Sequence, residues 1–453
     1  MIKLNSKISW VSIIIMIFAI ALLILKPFDG LINTGIFIFL VAATLWISEA
    51  IHLTATALLI PLLAILLGVL PVDDALEKFS HPIIFIFIGG FALASALQYV
   101  GLDQKIAQRI LVWSHGQANR AIALLFLLTA LFSMWVSNTA VAALMLPLAL
   151  GMIQRLNITD RNTQVFLLLG IAYSASIGGM GTIVGSPPNA IVAASLQLSF
   201  SEWLALGLPI VLVLLPILLS VLYVSLKPKL PKHIELSGPV NTLENPSKHA
   251  NNTGPVLVIF FTTVVLWLLG KPIGQALGIN RYFDAVVAIF AVIALVTSKQ
   301  VPWKIIQEKT DWGVLILFGG GLTLSAILKE TGSSAFIAEA MAGYLQGVPL
   351  IVLLFSLVAF VIFLTELTSN TATAALLVPL FISLAQSMSV PADMLALAIG
   401  FAASCAFMLP VATPPNAVIF GSGLVPQTEM MKAGVRLNIV GALILPLLLW
   451  LLV

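Results

Sequence analysis

The chain of 453 residues is 60% hydrophobic and only 9% charged, with a mean hydropathy of +1.13 and a formal charge of +3. Soluble proteins carry about 25% charged residues, so this composition excludes a water-facing globular surface and makes lipid the solvent. The single cysteine, Cys405, excludes an internal disulfide and a cysteine metal cluster, and no nucleic-acid partner is expected.

Residues 8–25 and 32–47 open the chain as near-continuous apolar runs, each the core of a segment of about 20 residues that spans a bilayer as a helix. The first run follows Lys3 and Lys7 and ends in Lys26-Pro27-Phe28-Asp29 without a small-residue cleavage site. It reads as a membrane helix and not as a signal peptide. The two lysines put the N-terminus in the cytoplasm by the positive-inside rule. Threading from there leaves all but five of the 21 Lys and Arg on that side, the exceptions being Lys26, Lys78, Lys271, Arg281 and Lys329. That bias requires two segments that enter and leave by the same face.

The first such segment lies between Arg120 and Arg155, an uncharged interval too long for one span and too short for two. A re-entrant hairpin fits, with the triplet Ser137-Asn138-Thr139 at its tip. From about residue 165 to 198 a longer apolar segment follows, broken by Gly178, Gly179, Gly181 and Gly185 and by Pro187-Pro188-Asn189. Proline removes a backbone donor and disfavours helix before it. The segment is therefore a discontinuous helix, and unwound backbone at membrane depth must be buried in protein or line a wet cavity.

Apolar residues 209–226 close this half, and a hydrophilic linker at 227–254 reads as a cytoplasmic loop. A linking transmembrane helix at 255–279 follows. The pattern then repeats in the same order. Residues 317–327 (L-F-G-G-G-L-T-L-S-A-I) match residues 87–97 (F-I-G-G-F-A-L-A-S-A-L). Pro349 and Pro391 bracket an apolar interval centred on Ser369-Asn370-Thr371, and Thr413-Pro414-Pro415-Asn416 interrupts the segment at 395–425. The division is thus N-terminal helices at 1–80, a first repeat at 81–226, linker and linking helix at 227–279, and a second repeat at 280–453. The hairpins fall near 120–155 and 350–390. The predicted fold is all-α, a polytopic helical membrane protein of about 11 transmembrane helices plus two re-entrant hairpins in two inverted repeats, the plan of secondary transporters.

Hydroxyls, Asn amides and unwound carbonyls supply neutral hard oxygens, which suit sodium and not zinc. The second arm of each hairpin starts at its triplet, so its N–H groups and positive dipole end face the same point and favour an anion. No Lys or Arg lies near either triplet or either Pro-Pro-Asn turn. An anion held there is neutralised by helix ends and co-bound cations, and two polar tips suit a small dicarboxylate, with sulfate as an alternative.

At these residues the chain resembles the divalent anion/sodium symporters, particularly bacterial INDY-type dicarboxylate transporters. Both Ser-Asn-Thr hairpins, both Pro-Pro-Asn turns and A-S-C-A-F-M-L-P-V-A-T-P-P-N-A-V-I at 403–419 carry the likeness, with Ile419 departing from the final Val of the family signature. The resemblance implies a scaffold that dimerises, which the N-terminal helices join, and a transport domain that moves like a lift. It implies one sodium site at Ser133, Ser137, Asn138 and Gly185, and another at Thr365, Ser369, Asn370 and Ala412, with two or more sodium ions per cycle. Substrate carboxylates would meet Asn138, Thr139, Ser186, Asn370, Thr371 and Thr413. The implied protein is not an enzyme but a sodium symporter of succinate, malate or fumarate in a bacterial cytoplasmic membrane. Obligate anion exchange on the same fold and sulfate symport stay open.

Three details complete the reading. Glu366 stands three residues before the second triplet where the first repeat has Met134, and an intramembrane carboxylate is a functional candidate by default; proton coupling and a structural hydrogen bond are both open. Cys405 and the Gly-Gly pairs at 89–90 and 319–320 are expected to serve close packing. Trp10, Trp203, Trp303 and Trp312 are expected at membrane interfaces. An intramembrane enzyme is disfavoured because no Ser-His or Ser-Lys pair, catalytic carboxylate pair or His cluster falls at membrane depth. A channel would not explain two tips closing on one midplane point.

Overall fold

The structure, a computed structural model, describes residues 10–230 apart from 103, 104, 106–108, 110–112 and 116, and residues 253–453 apart from 346. Lys3, Lys7, His233, His249 and linker residues 231–252 lie outside the described residues, as does the side chain of Trp10.

The described residues build an all-helical membrane protein. Helices α1 (Trp10–Leu25), α2 (Gly30–Ser48), α3 (Leu53–Leu66), α4 (Val72–Glu77) and α5 (Pro82–Tyr99) lead in. Asp29 caps α2 and His52 caps α3, each accepting a first-turn N–H. The first hairpin follows as α6 (Ala118–Ser133) and α7 (Asn138–Arg155), then α8 (Arg161–Gly178), α9 (Pro187–Leu196) and the long α10 (Phe200–Leu226). Beyond the linker come α11 (Thr253–Leu268), α12 (Gly270–Ala276), α13 (Phe283–Thr297), α14 (Trp303–Lys309), α15 (Trp312–Glu330) and α16 (Ser333–Leu345). The second hairpin is α17 (Leu350–Thr365) and α18 (Asn370–Ser387), followed by α19 (Ala392–Ala403), α20 (Pro414–Phe420) and α21 (Gln427–Leu452). Seven described helices are long and apolar enough to cross a membrane, nine if two bent pairs each count once, and six shorter apolar helices accompany them. The segment read as one linking helix is such a bent pair: α12 turns 79° from α11.

Gly89 and Gly320 show why the Gly-Gly pairs recur. A Cβ on Gly89 of α5 would lie 2.6 Å from the Cβ of Ala288 on α13, and one on Gly320 of α15 would lie 2.6 Å from the carbonyl of Ala57 on α3. Both glycines admit a neighbouring backbone, the way helices gain dispersion contact where lipid supplies no hydrophobic drive. The repeats meet where the rings of Phe87 and Phe318 pack edge to face at 4.8 Å. Cys405 is buried, its thiol near the Phe401 carbonyl, and acts in packing.

Trp203 departs from the aromatic-belt expectation. It is wholly buried and donates from Nε1 to the Met180 carbonyl at 3.0 Å, with its ring against Phe401. Unwound backbone frees carbonyls that need donors, and the indole satisfies one while filling the space beside it. Trp303 and Trp312 are half-exposed, as an interface requires.

Candidate functional site

Each hairpin tip is closed by a hydrogen bond spanning five residues. Thr365 at the end of α17 donates through Oγ1 to Asn370 Oδ1 at 2.6 Å, and Ser133 at the end of α6 meets the Asn138 amide at 2.5 Å. Ser137 and Ser369 are the N-caps of α7 and α18, their hydroxyls accepting from Ala140 N at 3.4 Å and Ala372 N at 3.5 Å. The sequence folds this way because Ser, unlike the apolar residues around it, can take up an orphan N–H at a helix start.

The broken helices share a lock that the Pro-Pro-Asn motif supplies. Proline starts α9 and α20, where its missing N–H costs nothing. The following asparagine reaches back across the unwound stretch. Asn189 Nδ2 donates to Gly179 O at 2.8 Å and Thr182 O at 2.7 Å, and Asn416 Nδ2 donates to Ala406 O at 3.1 Å and Leu409 O at 3.0 Å. The spacings are the same, ten and seven residues back, so the two breaks are one structure built twice.

Behind the first tip lies a group of oxygens. Facing Asn138 are Ser133 Oγ at 2.5 Å, and the carbonyls of Gly185 and Ala175, each at 3.2 Å. With the amide nitrogen turned inward all three accept from it; with the oxygen inward, four oxygens converge and the Ser133 hydroxyl is the donor available. That second arrangement is a hard-cation donor set. Space is tight: a Cβ on Gly179 would collide with Asn138 Oδ1 and stand 3.0 Å from Asn138 Nδ2 and from Gly185 O. At the second tip Thr365 Oγ1 also reaches Ala403 O at 3.1 Å. The Ala175 and Ala403 carbonyls were not among the sequence candidates, because a carbonyl carries no residue-specific signal.

In front of the tips is a cavity of about 770 Å³. Asn138, Thr139, Ser186, Asn370, Thr371 and Thr413 all line it, with Ser137, Gly185, Ser369 and Ala412. Ser133 and Thr365 are fully buried behind it. Its described lining contains no Lys, Arg or His; the charged side chains are Glu49, Asp311 and Glu366. Glu49 is the left-handed C-cap of α2. The two break residues differ in engagement. Thr413 caps α20 by accepting from Asn416 N at 3.3 Å, whereas Ser186 makes no cap bond and lies 3.5 Å from Ser404 Oγ.

Glu366 is 3% exposed. Its Oε1 accepts from Phe407 N at 2.7 Å, Met408 N at 2.8 Å and Asn438 Nδ2 at 2.7 Å, and its Oε2 from Leu409 N at 3.0 Å. The side chain thus gathers three successive backbone donors of the second break.

Paired hairpin tips and broken helices around one interior cavity, in a helical membrane protein, are the plan of a membrane transporter and not of an enzyme. The chain matches the citrate transporter model (CitMHS) over residues 43–399, and it belongs to that family. It is 50% identical over 428 residues to an uncharacterized transporter of Haemophilus influenzae, covering 92% of this chain and 91% of that one. A sodium-dependent dicarboxylate transporter, SdcS of Staphylococcus aureus (strain USA300), is 33% identical over 467 residues, covering 96% and 89%. Among solved structures, the YdaH transporter of Alcanivorax borkumensis shares the fold with a TM-score of 0.60 at 14% identity, over 96% of this chain and 97% of that one.

Proposed function

We propose that the protein is a sodium-coupled symporter of a small divalent anion, a C4-dicarboxylate such as succinate, malate or fumarate. The observation that carries the reading is the cavity: two Ser-Asn-Thr tips face it, and its described lining holds no basic side chain. A dianion there needs positive charge from elsewhere. The N-termini of α7 and α18 supply part of it through first-turn N–H groups and dipole ends. Sodium ions seated behind the tips supply the rest. One would use Ser133, Ser137, Asn138 and the carbonyls of Gly185 and Ala175; the other Thr365, Ser369, Asn370 and the carbonyls of Ala412 and Ala403. The anion would meet Asn138, Thr139, Ser186, Asn370, Thr371 and Thr413. Cation and anion share Asn138 and Asn370, so each stabilises the other's site, and that coupling free energy makes their binding cooperative.

The SdcS relatives, whose name states sodium dependence and dicarboxylate transport, support the same substrate class. In this reading two or more sodium ions move per cycle. The hairpins and broken helices travel as a lift against a dimeric scaffold that includes residues 1–80, in a bacterial cytoplasmic membrane with the N-terminus inside.

The test is uptake of labelled succinate into liposomes bearing the purified protein, with and without an inward sodium gradient. Uptake that requires the gradient and competes with malate and fumarate is the expected result. Uptake that needs internal dianion and ignores sodium makes the protein an exchanger, uptake of sulfate alone replaces the substrate, and no dianion uptake under any gradient removes the reading.

A further inference from the structure

The two repeats match closely enough to expose one place where they do not. Ser133 and Asn138 correspond to Thr365 and Asn370, which sets Met134 opposite Glu366. Gly207 and Gly434 both let their helix press on an unwound break: a Cβ on Gly207 would lie 2.7 Å from Met180 O, and one on Gly434 would meet the Phe407 carbonyl. That register sets Val211 opposite Asn438. One half therefore carries Met and Val where the other carries Glu and Asn, and Glu366 and Asn438 hydrogen-bond each other at 2.7 Å.

The difference falls on the breaks themselves. In the first half the unwound stretch forms two short 3-10 turns, Gly179–Gly181 and Ile183–Gly185, and the Met134 side chain packs against Gly181. In the second half, residues 404–413 form no such helical turn. The N–H groups of Phe407, Met408 and Leu409 turn instead to the Glu366 carboxylate, while Asn416 takes the carbonyls of Ala406 and Leu409. All four partners of Glu366 are donors, the arrangement a carboxylate ion uses fully and a protonated acid cannot. The residue before it, Thr365, is the one bonded to Asn370 and to Ala403 O.

We propose that Glu366, as the carboxylate, is a positioning residue for the second cation site. It fixes the unwound segment that joins the Ala403 carbonyl to the Ala412 carbonyl of that site, and it adds a negative charge one residue from Thr365. The first site has neither. The two sites are thus unequal, and the second fills at lower sodium concentration. The charge is tolerated in the membrane interior because four donors replace its lost hydration. This inference rests on the sodium-coupled reading, and the experiment separates the two.

The measurement is sodium titration of succinate uptake, with a parallel titration of thermal stability by sodium alone. Wild type is expected to show a sigmoidal sodium dependence. Glu366→Gln, which keeps size and removes charge, is expected to raise the half-saturating sodium concentration by about tenfold, the cost of one charge-assisted hydrogen bond. It should flatten the sigmoid and leave the succinate KM at saturating sodium within about twofold. Adding Asn438→Asp to that variant returns a carboxylate to the same pocket and is expected to recover most of the sodium affinity. Should Glu366→Gln not fold, Asn438→Leu, which keeps the charge and removes one donor, is expected to shift the sodium requirement the same way, by about threefold. A folded Glu366→Gln protein with wild-type sodium dependence overturns the proposal. So does a loss of stability with no sodium shift and no rescue by Asn438→Asp, and so does an unchanged sodium requirement in Asn438→Leu. Wild-type uptake indifferent to sodium removes the underlying reading as well.

Discussion

Thr365 donates to Asn370 across the tip of the second hairpin at 2.6 Å, and the Ser133 hydroxyl and the Asn138 amide meet at the equivalent place across the first. The bond ties the last residue of one arm to the first of the next, so the tip residues are held by the hairpin itself. It also makes each asparagine a member of two groups, the oxygens behind the tip and the cavity in front of it.

Asn138→Ala and Asn370→Ala should each weaken transport and raise the sodium needed. Losing one ligand oxygen of about 1.4 kcal/mol is a tenfold change, and that is the expected shift in half-saturating sodium. Uptake titrated against sodium in liposomes reads it. Both variants behaving as wild type would show that the cations sit elsewhere.

Gly179→Ala drives a methyl into the Asn138 amide, whose Oδ1 it would meet first, and sets it 3.0 Å from the Gly185 carbonyl. Backbone cannot yield cheaply there, so the variant should fold but lose sodium-driven uptake by at least about tenfold. Gly151→Ala is the control: that glycine lies in α7 with nothing within 4 Å of its added carbon, and transport should be unchanged. Equal loss in both would point to a general helix effect.

Asn189→Ala and Asn416→Ala act on stability first. Each strands one buried carbonyl, that of Gly179 or Ala406, at about 1–3 kcal/mol, while the carbonyls of Thr182 and Leu409 keep the N–H groups of Gly185 and Ala412. Thermal unfolding in detergent should fall for both, and by similar amounts, since the two locks have the same spacing. A large loss in one half alone would contradict the equivalence of the breaks.

Ser186→Ala and Thr413→Val separate binding from folding. Thr413 caps α20, so its loss should cost about 1 kcal/mol of stability as well as substrate affinity. Ser186 makes no cap bond, and its removal should raise the succinate KM with stability unchanged. Paired KM and unfolding measurements decide it, and a stability loss at Ser186 equal to that at Thr413 would overturn the distinction.

Much of the fold was legible because lipid leaves few choices. Apolar runs of spanning length must be helices, and proline pairs must break them, so the Pro-Pro-Asn turns marked where α9 and α20 begin. Trp203 went the other way: interface tryptophans are a compositional tendency, whereas a freed carbonyl at Met180 is a local demand that only the folded chain creates. The bend between α11 and α12 was likewise invisible, since hydropathy does not register direction.

By itself the sequence determined the helical membrane class, the doubled motifs and the side chains of both tips, because these follow from composition, proline chemistry and spacing along the chain. The tertiary structure decided which oxygens meet. Backbone carbonyls such as those of Ala175 and Ala403 are chemically alike at every position, so only folding selects them. It also decided which groups meet Glu366, for its partners lie 41 to 72 residues away and no local pattern announces them.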